Sequence, residues 1–134
     1  MTNADRLFDL IALLMEMADS VDECIGQLDE VRNLLASRDS VAAVTVLGNV
    51  RSVVEIITKA SRDAAASFGY VESRPNFDGD GVARSLESCA VALETAQRRV
   101  VARERLAALA RLDVVSDVLH VVSTTCRDAA RAVR

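Results

Sequence analysis

With 134 residues, 51% hydrophobic and only 3% aromatic, the chain is long enough for one domain whose core must be built from Ala, Val, Leu and Ile. The net charge of −4 is uneven: residues 1–36 carry eight acids against two arginines, and residues 98–134 carry eight arginines against four acids. Those arginines are interspersed with acids at helical spacing and lack aromatic companions for base stacking, which excludes a nucleic-acid groove as the expectation, and no uninterrupted apolar run reaches the roughly 18–20 residues of a membrane span.

Three cysteines are an odd count without metal-type spacing, and the N-terminus (Met-Thr-Asn-Ala-Asp-Arg) has no basic region or cleavage site of a secretory signal. Both features predict a reducing, cytoplasmic setting. Fifteen arginines to one lysine suggest a GC-rich, bacterial coding genome.

Residues 4–36 read as one long helix. In heptads counted from Leu7, the a positions are Leu7, Leu14, Val21, Leu28 and Leu35, and the d positions are Leu10, Met17, Cys24 and Val31. Ile11, Ala18 and Ile25 at e widen this into the face of a bundle helix. Asn3 or Asp5 can cap its start. Between Leu7 and Ala18 only Asp9 and Glu16 are polar, so Phe8, Ala12, Leu13 and Met15 make that half apolar nearly all round. Such a helix calls for burial on more than one side, and Leu7, Phe8, Ile11, Ala12 and Met15 are the candidate interaction surface.

The polar cluster Ser37-Arg38-Asp39-Ser40 predicts a turn, with Ser37 or Asp39 capping a second helix over about 40–68. Its inward set is Ala43, Val46, Leu47, Val50, Val53, Val54, Ile57, Ala60, Ala64 and Phe68. The many β-branched residues would suit strands, but the three-and-four spacing and the length favour a helix, with Gly48-Asn49 a possible kink. Residues 69–81, with Gly69, Pro75, Gly79 and Gly81, are a linker expected to fold over the end of the first helix. A third helix covers about 82–102, with Val82, Leu86, Cys89, Leu93, Ala96 and Val100 inward. A weakly marked turn at Arg103-Glu104-Arg105 leads to a fourth helix ending near 131, with Leu112, Val115, Val118, Leu119, Val122, Cys126, Ala129 and Val133 inward.

Ser61-Arg62-Asp63-Ala64-Ala65 returns 65 residues later as Cys126-Arg127-Asp128-Ala129-Ala130. Residues 18–68 laid over 83–133 give 51 ungapped pairs, 14 of them identical, including Cys24/Cys89, Leu28/Leu93 and Arg38/Arg103. Matched Arg, Asp, Ser and Cys positions go beyond shared helical composition and predict two duplicated helical hairpins. The expected fold is an all-α, up-down-up-down four-helix bundle forming one domain: hairpin 1 at about 4–68, linker 69–81, hairpin 2 at about 82–134. If neither turn forms, the alternative is a long two-helix antiparallel hairpin.

The most specific local motif is Asn76-Phe77-Asp78-Gly79-Asp80-Gly81 followed by Glu87. Asn76, Asp78, Asp80, the Val82 carbonyl and Glu87 fall at calcium-ligand positions 1, 3, 5, 7 and 12, with Gly81 at 6, so these twelve residues resemble an EF-hand loop. Asn at position 1 and Pro75 before the loop depart from that pattern. The competing reading is a polar turn in which Asp80 caps the third helix. His120, the single histidine, falls on a solvent-facing position beside Asp117, which excludes a di-iron bundle site. The cysteines read as small core hydrophobes, although symmetry could bring Cys24 and Cys89 together. The expected function is therefore non-enzymatic: a helical interaction or structural module, homo-oligomeric or bound to a helical protein partner. A calcium-responsive module is the alternative.

Overall fold

A computed structural model describes residues 3–68 and 77–133. They form four helices, α1 (Asn3–Ala36), α2 (Ser40–Phe68), α3 (Gly79–Val101) and α4 (Arg105–Val133), and no strand among the described residues. α1 packs on α2 and α4, and α3 packs on α2 and α4, leaving α1 opposite α3 and α2 opposite α4 across the core. This is the up-down-up-down bundle. Both turns form, so the two-helix alternative does not hold.

The two turns are built alike. Asp39 N–H donates to Leu34 O (2.9 Å) and Glu104 N–H to Arg99 O (2.8 Å), while Arg38 N–H donates to Leu35 O and Arg103 N–H to Val100 O. Each arrangement is a helix end closed by a residue in the left-handed region: Arg38 at φ 62° and Arg103 at φ 63°. The left-handed region disfavours a side-chain-bearing residue by about 1–2 kcal/mol, and glycine is the usual occupant. Here arginine fills it twice, 65 residues apart. Asp39 then caps α2, its carboxylate accepting from Ala42 N–H (3.2 Å). Glu104 instead turns its carboxylate to Arg99 (2.8 Å).

The core follows the same register. Val21 and Leu86, Cys24 and Cys89, Leu28 and Leu93, Leu47 and Leu112, Val50 and Val115, and Val54 and Leu119 are all buried pairs. Aliphatic side chains at three-and-four spacing fill the space between the helices, and small residues such as Ala43, Ala83, Ala96 and Ala108 allow close approach. In α2 this burial overrides β-branched propensity, and the helix runs unbroken through Gly48-Asn49. At Gly48, Gln97 of α3 crosses close by and donates through Nε2 to Val44 O (3.0 Å). By length and composition alone, Ser40–Ala66 of α2 (mean hydropathy 1.5) is long and apolar enough to cross a membrane, a test that the core helix of a bundle also passes; 33% of its apolar window is buried in the bundle.

α3 begins at Gly79, three residues before the expected Val82, and its cap is Asp78 rather than Asp80. The Asp78 carboxylate accepts from Gly81 N–H (2.9 Å). Gly79 has a packing reason to be glycine: a Cβ there would stand 2.7 Å from Ser61 O and 2.9 Å from Ala65 Cβ. Ser61 Oγ donates to Gly79 O (2.6 Å), which fastens the start of α3 to α2. By repeat register Gly79 corresponds to Leu14, so the first 11 residues of α1, Asn3 to Leu13, have no counterpart in α3. At 1.5 Å per residue that overhang is about 16 Å. The expected fold-back of residues 69–76 and the inward placement of the Phe68 and Val133 side chains lie outside the described structure.

Candidate interaction surface

The N-terminal half of α1 divides its apolar side chains between the bundle and its surface. Leu10, Leu14, Met17 and Ala18 are buried in the core. Ile11, Leu13 and Met15 are half-buried and pack against it, and Leu7 is half-buried too. Phe8 is 76% exposed, and Ala12, one turn further on, is exposed as well. Of the five proposed surface residues, then, Phe8 and Ala12 face solvent fully and Leu7, Ile11 and Met15 form their half-buried flank. Leu13 departs to the other side, where it lines a shallow groove with Ile56 and Ala60 of α2.

Just C-terminal to this patch, α1 is clamped to α4. Arg127 Nη2 donates to Asp19 Oδ1 (3.1 Å) and also to Asp22 Oδ2. Ser123 Oγ donates to Asp22 Oδ1 (2.6 Å). The Ser123 hydrogen bond, and after it Arg127, hold the Asp22 carboxyl below its ordinary value against the opposing effect of burial. The matching station between α2 and α3 is the Arg62–Glu87 ion pair, since Arg62 and Glu87 are the repeat partners of Arg127 and Asp22. The echoed Arg-Asp-Ala-Ala stretch thus has a structural cause: its arginine ties α2 to α3 and α4 to α1, and Ala64 and Ala129 beside it are buried. Nearer the turns, Arg32 bridges α1 to α4 through Asp113 Oδ1 and Ser116 Oγ (3.0 Å each), with Asp29 on its own helix at 2.6 Å.

The EF-hand-like residues are placed differently from a ligand loop. Asp78 is the α3 cap, Asp80 stands in the first helical turn, Val82 is buried within α3, and Glu87 is paired with Arg62. An EF-hand needs positions 1 to 7 wrapped round the ion; here everything from Gly79 onward is already helix. Asn76 lies outside the described residues. Among the described residues, no group of three or more His, Cys, Asp or Glu side chains is placed to hold a metal ion.

Cys24, Cys89 and Cys126 are free thiols and all buried. Burial pushes each up to about 11; Glu23 adds to this for Cys24 and Cys24 for Cys89, while Arg127 opposes it for Cys126. At neutral pH they are protonated core residues, far from nucleophilic thiolates. His120 is exposed, as its register predicts. The buried hydroxyls of Thr58, Ser61, Ser116 and Ser123 escaped an inward list drawn on apolarity alone; Thr58 and Ser123 occupy equivalent repeat positions. Each is used within or between helices: Thr58 Oγ1 donates to Val54 O (2.7 Å), and the other three bonds are those above.

Fold and surface together define a four-helix bundle of two equivalent hairpins whose acidic first helix exposes an aromatic side chain, with further exposed apolar residues, Val41, Val101 and Leu106, near the turns. No protein-family model, no curated protein and no solved structure matches the chain.

Proposed function

We propose that the protein is a non-catalytic helical-bundle module that associates with a second copy of itself through the N-terminal half of α1. The observation that carries this reading is Phe8, a large aromatic side chain 76% exposed in a chain that has only three phenylalanines. Aromatic residues supply much of the binding energy where helices dock, and Phe8 with Ala12 and the half-buried flank offers an aromatic anchor beside a small residue that lets another helix approach. A second copy suits the charge as well. The exposed acids Asp9 and Glu16 flank the patch, and the same chain supplies a fourth helix bearing four arginines, Arg105, Arg111, Arg127 and Arg131. The protonated core thiols are consistent with a reducing, cytoplasmic setting.

Site-directed cross-linking tests the surface. With the native thiols buried, Ala12→Cys places one accessible thiol in the patch, and Ser88→Cys places one on exposed α3 as a control. Mild oxidation is expected to link Ala12→Cys into disulfide dimers far faster than Ser88→Cys. Equal rates at the two positions would overturn the assignment and leave a different helical protein as the partner to be sought.

A further inference from the structure

The end of the bundle that carries both turns holds a cavity of about 550 Å³ lined by Leu35, Arg38, Ser40, Val100, Arg103 and Arg105. These six residues are three repeat pairs: 35 with 100, 38 with 103, and 40 with 105. The cavity therefore sits where the two hairpins meet in equivalent positions. Its floor is apolar, from buried Leu35 and Val100, and its rim carries three guanidinium groups and a hydroxyl.

The positive charge is not spent on neighbours. Arg105 Nη1 donates one hydrogen bond, to Leu35 O (3.3 Å). The Arg38 and Arg103 side chains have no hydrogen bond or ion pair among the described residues. The acids adjacent in sequence are engaged elsewhere, Asp39 in capping α2 and Glu104 with Arg99. Arg38 and Arg103 are also the only side-chain-bearing residues with positive φ among the described residues. A left-handed backbone, which costs a side-chain-bearing residue about 1–2 kcal/mol, is thus held at two equivalent positions by the same residue around one cavity.

We propose that this cavity binds an organic polyphosphate, with Arg38, Arg103 and Arg105 as the recognising donors. Guanidinium forks match phosphate oxygens in pairs, and three of them suit a chain of phosphates better than a single carboxylate. The organic part has a place to lie. An adjoining groove of about 430 Å³ shares Ser40, Val100 and Arg103 with the cavity and continues over Val41, Val44 and Val101. The site is at the opposite end of α1 from Phe8, so it stands or falls independently of self-association.

Calorimetric titration of the full chain at low salt with tripolyphosphate and with ATP tests the site. Both are expected to bind, ATP the more tightly through the apolar groove. The Arg38→Gly/Arg103→Gly double variant is expected to lose at least about tenfold in affinity while melting no lower than wild type, because glycine relieves the left-handed backbone. Arg84→Ser, on α3 and outside the cavity, is expected to leave binding unchanged. Absence of binding by either probe at millimolar concentration overturns the proposal. So does undiminished binding in the double variant, or an equal loss in Arg84→Ser, which would mark general charge attraction only.

Discussion

Arg127 on α4 holds Asp22 on α1 in the same way that Arg62 on α2 holds Glu87 on α3, so one ion pair, written twice, closes both helix interfaces. The α1–α4 copy is the richer, because Ser123 Oγ also donates to Asp22. A carboxyl held below its unfolded value stabilises the fold above that unfolded value and loses the contribution as pH falls through the lowered one. Asp22→Asn is therefore expected to lower the thermal midpoint at neutral pH. The gap from wild type should close as the pH falls from about 4 downward, and melting curves at successive pH values check this.

The glycines make opposite predictions. Gly79→Ala drives a Cβ against Ser61 O and Ala65, and is expected to destabilise the bundle by about 1–3 kcal/mol. Gly26 lies mid-helix in α1, exposed, with nothing within 4 Å of an added Cβ. Gly26→Ala is expected to stabilise by about 0.5–1 kcal/mol through helix propensity. Urea unfolding of the two variants measures both.

Equivalence in the core is also measurable. Leu28 and Leu93 are fully buried repeat partners. Each truncated to alanine is expected to lose about 2–5 kcal/mol, with closely similar losses if the two hairpins carry equal shares of the core. Native-state thiol labelling makes a companion readout: Cys24, Cys89 and Cys126 should resist an aromatic disulfide reagent at neutral pH and all react once denaturant unfolds the chain.

Calcium is expected to leave the thermal midpoint where a chelator leaves it. Asp78 and Glu87 already serve a helix cap and an ion pair, and ligation would have to unwind the first turns of α3. A midpoint that rises with millimolar calcium would show that this reorganisation occurs and would restore the calcium-responsive reading.

Much of this fold was legible in the residues because apolar spacing dictates which helix face is inward. Leu14, Val21, Leu28 and Leu35 follow the a register, and the polar cluster at Ser37–Asp39 marks the first turn. The second turn was harder to see because Arg103-Glu104-Arg105 leads straight into Leu106–Leu112, which is excellent helix-forming sequence. The start of α3 was misjudged for a physical reason. Gly79, placed in the linker by its residue type, is small so that α3 can touch α2, and the helix is already running there. The patch on α1 was only partly legible, since composition says that Ile11 and Met15 are apolar but only packing shows that they lean on the core and leave Phe8 outermost.

Sedimentation velocity on the purified chain across low micromolar concentrations, repeated with Phe8→Glu, tests self-association most directly. A dimer is expected for the wild type, and Phe8→Glu should weaken it at least about tenfold without loss of helicity, since the side chain points away from the core. A wild-type chain that sediments as a monomer throughout, or a Phe8→Glu chain that dimerises as well as its parent, would contradict the account.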